Sequence, residues 1–586
     1  MKAICLVKQV PALGSIEFDE ETHSLKREGV PLELNAFDRF AVQHGALLAD
    51  EVVAMTMGPP QAEEALREAL ALGAQRAIHL SDRVFAVADT LGTSRTLAMA
   101  IEKEGADLVL CGRKALDSET WQVPSQVAAF LGWPHVTNAA AVERSADTLR
   151  LTRQTDFGEE VYEAGLPVVV SVGLPPTQTT NGNADGPIEV WQATDLVDQV
   201  FEYDKRFGQT GSPTRVLAVR DSRPERAGIS VASADEAAAK VRELLAERAP
   251  EAPSWEKPGH IAEEPGTSYD CWSVCELVDG RLRRVSLELI ARSRVLAGKL
   301  GGRAVALLIG HELDEPAREA ALHGAEVVYL ADDPALAEYH PELWTAVLRR
   351  VLADHLPRAL LVPATGRGRD YGPRTAGELE LGMTADCVGV DIAKAGRLLQ
   401  QKPAYGGNIV SVIMGATTPQ LATVLPRMYE PLEPQDFNAE VHRLDLGSLP
   451  EPRVKVVERT RDHSSYDLDE HDVVIGVGPD VNPELVAAIE AMDAAVAGTR
   501  EACEAGLVPR TRQVGLLGRP VAPRLYVGVG VGDDLEHWGG VVKARVIATI
   551  GDETPDDADV SVSGDPREIL PILLDSVMPA PEDASP

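Results

Sequence analysis

Aromatic residues make up only 4 per cent of this 586-residue chain, cysteine occurs at six positions, and basic residues are outnumbered by acidic ones, 56 to 91. Each shortage excludes something. The formal charge of −35 argues against a nucleic-acid or anionic-membrane surface, since both require basic patches. It fits a solvated acidic surface, a basic partner or a high-salt habitat. No window approaches the roughly 18 consecutive apolar residues of a membrane span, so membrane insertion is not expected. The start, MKAICLVKQVP, turns polar directly after a short apolar run, which reads as a first strand and not as a signal peptide. The cysteines, at 5, 111, 271, 275, 387 and 503, are scattered. Only Cys271 and Cys275 are close, at a spacing that puts both on one face of a strand. With no second ligand pair beside them, no metal site is expected, and reduced thiols in a cytoplasmic protein are the reading. There is also no Walker loop, HExxH pair or Ser/His/Asp order, which leaves hydrolysis and phosphoryl transfer without residue-level support.

What is present is an Ala/Val/Leu-rich chain, 44 per cent hydrophobic, the usual make-up of α/β layers. Its length suits about three to four domains. From residue 1 to 249 apolar strands alternate with amphipathic helices (KAICLVKQV, DRFAVQHGALLAD, EVVAMTMG, QAEEALREALALGA, ADLVLCGR), the pattern of a doubly wound parallel sheet. Residues 250–266 are dense in Pro, Gly and Glu and read as a linker. A second α/β run occupies 267–450 and a third 451–578, and the tail 579–586 is expected to be disordered. The fold expectation is α/β: three doubly wound, mainly parallel-sheet domains, the last Rossmann-like.

Three segments carry candidate chemistry. In the first module, Asp89, Thr90, Thr93 and Ser94 form a polar turn before a helix, and Asp117 to Pro124, with Gln122 and Val123, follow the strand ADLVLCG. That is the sheet edge at which open α/β folds bind ligands. Each turn alone is equally an ordinary helix start; two on one edge point to a nucleotide pocket. In the second module Arg367, Arg369 and Arg374 sit in a Gly-rich turn, either as an anion site or as solvated surface charge. In the third, Leu525 to Val531 reads as a buried strand running through Gly528, Gly530 and Gly532 into a helix. This is a tight turn or a pyrophosphate cradle.

The segments together resemble an electron-transfer flavoprotein whose β and α subunits are fused in that order. The β-type half rests on KQVP, LNAFDRFA, MGPPQAEEALREALALGA, ADTLGTS, CGRKALDSETWQV and RVLAVRDSRPERAGISV. The α-type half rests on VSLELIARSRVLAGKLG, ATGRGRDYGPR, MTADC, KPAYGGNI, TREACEAGLVP, RQVG and VAPRLYVGVG. The resemblance implies a soluble electron carrier that accepts electrons from flavin dehydrogenases of the acyl-CoA dehydrogenase type, as in fatty acid β-oxidation, and passes them through FAD to a membrane quinone oxidoreductase. The fused chain would replace the α/β heterodimer and fix the ratio of the halves. The alternatives are an electron-bifurcating NADH-oxidising protein with two FAD, or a degenerate nucleotide-binding protein without redox activity.

By the same resemblance FAD is contacted by Arg500, Gln513, Val514, Gly515, Leu517, Gly530, Gly532, His537, Asp552 and Asp559. AMP or a second FAD is held by Asp89, Thr90, Thr93, Ser94, Asp117, Gln122 and Val123. The chain also departs from the pattern. Leu517 replaces a flavin-bonding threonine, and Gly532, Asp533 and Asp534 replace the phosphate turn, where carboxylates pointing inward would repel a pyrophosphate. Gly476 to Pro479 lack an arginine, and Gly551 replaces an asparagine. The partner-recognition loop is replaced by LPPTQTTNGNADGPIEV, so docking to the usual dehydrogenases is not implied.

Overall fold

The computed structural model describes residues 1–12, 17–19, 24–26, 29–201, 204–221, 225–248, 267–462, 468–492, 494–551 and 557–577. The expected linker 250–266, the tail 579–586 and Asp552 lie outside the described residues.

Short apolar runs such as KAICL, LVLCG and VVVSV are buried along their length. They form the centre of a ten-stranded sheet, as two-sided burial in a parallel sheet requires. Its parallel part runs, by strand, Ile188–Trp191, Arg76–Leu80, Glu51–Met57, Lys2–Leu6, Leu108–Gly112, Val168–Val172 and His135–Ser145; Thr148–Thr155, Gly158–Gly165 and Val454–Arg461 follow antiparallel. The second module repeats that order in seven parallel strands: Glu440–Arg443, Val327–Asp332, Ala304–Gly310, Cys271–Cys275, Ala359–Pro363, Gln420–Val424 and Met383–Cys387. The fold is thus α/β throughout, with mainly parallel sheets.

The sheets run across the boundaries expected from sequence. Ile229–Val231 pairs with Val560–Val562 at the edge of the third, six-stranded parallel sheet. The helix Ala234–Glu247 buries Ala237, Ala238, Val241, Leu244 and Leu245 in that sheet's core. Conversely, Val454–Arg461 closes the edge of the first sheet, and the third module's own strands begin only at Val473. The first module's end is therefore an arm. Thr214–Asp221 pairs antiparallel with Ile409–Gly415 in the second module, and the rest of the arm completes the third. Local apolar periodicity identifies these strands but carries no information about which sheet edge each one satisfies.

Candidate functional site

Open parallel sheets bind ligands beyond their strands' carboxyl ends, and the three modules treat that position differently. In the first module it is a cleft of about 1460 Å³, walled on the far side by the second module's antiparallel strands and by the arm. In the second it is filled. Arg153, reaching in from the first module's hairpin, bonds Asp370 Oδ2 at 3.0 Å, Tyr339 donates to the same oxygen at 2.8 Å, and His135 Nε2 lies 2.7 Å from Oδ1. In the third the glycine loops close on each other, as described below.

Six of the seven residues expected at the nucleotide loop line the cleft: Asp89, Thr90, Thr93, Asp117, Gln122 and Val123. Asp89 caps the helix Thr90–Glu104 through Gly92 N at 3.0 Å, and its other oxygen accepts from Thr214 N at 2.9 Å and Thr214 Oγ1 at 2.7 Å. The helix start and the arm strand are thus fastened to one carboxylate. Thr90 Oγ1 donates to Gln122 Oε1, and Gln122 Nε2 donates to Met383 O at 3.1 Å, which ties the loop to the second module. Asp117 pairs with Lys8 at 2.6 Å. Val123 opens the helix Val123–Leu131, whose uncapped N-terminus borders the same space and favours an anion there. Ser94 is placed elsewhere: it is fully buried and bonds Gln126 Oε1 at 3.2 Å between the two helices.

Sequence reading assigned no chemistry to the opposite wall. Tyr405 N donates to Asp117 O at 3.1 Å and Gly406 N to Glu119 Oε1 at 2.9 Å, so the KPAYGGNI turn sits directly on the nucleotide loop. Lys114 pairs with Glu119 at 2.9 Å, and Lys402 donates to Glu119 O at 3.2 Å. Burial lowers the pKa of both lysines, against the pull of Glu119 and Asp386. Lys8, Arg83, Arg113, Lys114, Arg215 and Lys402 line the cleft against Asp38, Asp82, Asp89 and Asp117. Burial also pushes Asp38 up to about 7, although Asn35 and the N–H groups of Lys8 and Gly112 oppose the shift. In a chain of charge −35 this is a local cationic pocket. Trp121 stands at its inner end with Arg113, Lys114 and Arg369 at 5.0, 5.5 and 4.8 Å from its ring centre, within cation–π range.

The second module's arginines are spent on protein partners. Arg369 makes a bidentate pair with Asp386 at 2.9 and 3.0 Å, Arg374 bonds Glu378 and Trp133 O, and Arg367 lies over Phe157 and Tyr339.

The third module's crevice lies between Val473–Val477 and Leu525–Val529, where successive connections leave in opposite directions. Gly478 N donates to Val529 O at 3.0 Å, and a Cβ at Gly478 would lie 1.7 Å from Gly530 O. Gly530 and Gly532 take positive φ, 64° and 66°. Asp534 Oδ1 accepts from Glu536 N at 3.0 Å and His537 N at 3.3 Å. Glu536 takes two donors of the earlier loop at 515–517: its carbonyl accepts from Leu516 N at 2.8 Å and its Oε1 from Leu517 N at 2.7 Å. His537 is fully buried. Its Nδ1–H donates to Val514 O at 3.0 Å, its Nε2 accepts from the Tyr526 hydroxyl, and burial holds it down at about 4, so it is neutral. Arg500 is on the surface, paired with Glu504 at 3.0 Å.

Gln513 and Leu517 border a cavity of only about 80 Å³, and Arg113 from the first module donates to Leu517 O at 2.6 Å and Gly518 O at 2.9 Å. Asp559 faces the arm: it pairs with Arg226 and Arg248, each at 2.9 Å, and accepts from Ala227 N and Ile547 N. Of the ten FAD contacts expected there, nine are described, and those nine do not converge on one open space.

Comparison with known proteins places these observations in a family. Residues 22–196 and 271–449 each match the sequence pattern described as "Electron transfer flavoprotein domain", in agreement with the repeated strand order, and residues 467–542 match "Electron transfer flavoprotein FAD-binding domain". The relatives divide between the two halves. "Electron transfer flavoprotein subunit beta" of Thermoanaerobacterium thermosaccharolyticum is 39% identical over 241 residues, 39% of this chain and 91% of that protein. "Protein FixB" of Clostridium saccharobutylicum is 34% identical over 316 residues, 52% of this chain and 94% of that protein. "Lactate dehydrogenase (NAD(+),ferredoxin) subunit LctC" of Acetobacterium woodii is 30% identical over 320 residues, 52% of this chain and 76% of that protein.

Proposed function

The chain belongs to the electron transfer flavoprotein family, with β-type and α-type parts fused in that order, and on that premise we propose that it is a redox carrier holding FAD in the cleft between its first two modules. The observation that carries this reading is the convergence of Asp89, Thr90, Thr93, Asp117, Gln122 and Val123 on a cleft of about 1460 Å³. Small-molecule pockets run from roughly 300 to 1,000 Å³, so the space suits a dinucleotide; AMP, half of one, would leave most of it to water. FAD, when bound, supplies the electron chemistry. The chain's own groups do the rest. The helix start at Val123 would face a pyrophosphate, Lys114 and Lys402 would set positive charge in a low-dielectric wall, and the second module's strands would exclude solvent.

A flavin dehydrogenase as donor and a quinone oxidoreductase as acceptor are the partners this reading carries from the family. An electron-bifurcating chain with two FAD would need the second FAD in the third module, where Asp534 and Glu536 take up helix and loop N–H groups. The test is to denature the purified chain and identify what it releases. FAD is expected. AMP alone, or no uptake of FAD on refolding, sinks the reading.

A further inference from the structure

The third module keeps the outline of a flavin domain, but its own side chains occupy the places where a cofactor would be held. The helix start that would face a pyrophosphate is spent on Asp534, whose carboxylate accepts from both Glu536 N and His537 N. Asp533 lies exposed beside it, so negative charge faces the position that an anion needs. At the mouth of the crevice Gly478 lies against the Gly530 loop through backbone, where a Cβ would clash with Gly530 O. The loop 515–517 that would bond a flavin ring gives its N–H groups to the protein instead, Gly515 N to Arg519 O and those of Leu516 and Leu517 to Glu536, and a Cβ at Gly515 would lie 2.3 Å from Glu536 Oε1. His537 has both ring nitrogens engaged inside the protein. The cavity that remains beside Gln513 and Leu517, about 80 Å³, is well below the roughly 300 Å³ of the smallest ligand pockets.

We propose that the third module holds no FAD: the carboxylates of Asp534 and Glu536 have taken over the donors that would bind one, and Arg113 fixes the closed loop against the first module. The chain is then a single-flavin member of a family whose name for this module is taken from its cofactor. This rests on the cleft being the FAD site proposed above.

The test counts FAD per full-length chain after refolding with excess FAD, for the wild type, for the cleft-filling variants Thr93→Trp and Ser411→Trp, and for Asp534→Ala with Glu536→Gln. Circular dichroism checks that each variant folds. One FAD is expected in the wild type, none in a folded cleft variant, and one in the third-module variant. Two FAD in the wild type, or one retained by both cleft variants, overturns the proposal and leaves the family assignment intact. A wild type that takes up no FAD at all supports the empty third module while removing the cleft reading, so the two claims fail separately.

Discussion

The cleft of the first module and the crevice of the third sit at the same place in their folds, beyond the carboxyl ends of parallel strands, and both are edged by glycine or hydroxyl loops running into helices. They differ in what fills them. At the cleft, carboxylates are tied up by protein donors (Asp89 by Thr214, Asp117 by Lys8), and cationic side chains outnumber carboxylates along the lining. At the crevice, carboxylates consume the donors themselves, as Asp534 and Glu536 do, and the nearby cation Arg500 is turned to the surface. A domain outline therefore does not determine a binding site. The balance of satisfied and unsatisfied donors within it does.

The largest effect that tests this contrast is at Asp559. If that carboxylate serves architecture and not a cofactor, Asp559→Ala leaves Arg226 and Arg248 without their buried partner. It should cost on the order of 3–5 kcal/mol, read by urea unfolding, while FAD content under native conditions stays unchanged. A loss of FAD at unchanged stability would break the comparison, because Asp559 would then act toward a ligand.

The cleft's electrostatics are tested next. Lys402→Met removes one of two buried cations that share Glu119. FAD affinity should fall by tenfold or more, about the 1.5–3 kcal/mol of a bond to a charged group. Flavin fluorescence titrated at two salt concentrations reads it, and a shallower salt dependence in the variant is expected. Unchanged affinity would mean that the cleft's positive lining is not what holds the ligand.

These two residues also show where sequence reading stops. Asp89, Thr90, Gln122 and Val123 were legible because each lies in a contiguous loop between a recognisable strand and helix, and position at a strand's carboxyl end is a local property. Lys402 was not, because its meaning depends on Glu119, 283 positions away. The resemblance implies Asp559 as a flavin contact, whereas its partners Arg226 and Arg248 lie 333 and 311 positions earlier, on an arm that sequence assigns to another domain. The departures Asp533 and Asp534 were visible as letters. Which of them turned inward was not: Asp534 folds back on its own helix, and Asp533 stays exposed.

Glu536 offers a pH signature of the closed crevice. Burial, reinforced by Asp534 and opposed by the Leu517 N–H, pushes its carboxyl up to about 7. In the unfolded chain it titrates near the ordinary value of about 4.3. Between those values folding takes up a proton, so this group's contribution to stability is fully present below pH ~4.3 and is lost as pH rises toward 7. The slope is at most about 1.4 kcal/mol per pH unit, and roughly 1–2 kcal/mol in total after discounting for solvent access. Glu536→Gln keeps an oxygen for Leu517 N and removes the proton, so its stability should fall less than the wild type's over that window. Parallel curves would show that Glu536 is solvated and the crevice open.

The smallest effect separates charge from geometry at Asp534. The side chain caps a helix of seven residues, Leu535–Val541, and a lost cap costs about 0.5–2 kcal/mol. Asparagine caps as well as aspartate but carries no charge. If Asp534 matters because its oxygen satisfies two N–H groups, Asp534→Ala should lose about 1 kcal/mol and Asp534→Asn almost nothing, with neither admitting FAD, because the Gly478–Gly530 contact and the Glu536 bonds still close the crevice. If Asp534→Asn alone raised FAD content above that of the wild type, repulsion by one carboxylate would be all that keeps the third module empty. The difference between the two regions would then be a single charge, and not the packing of the loops.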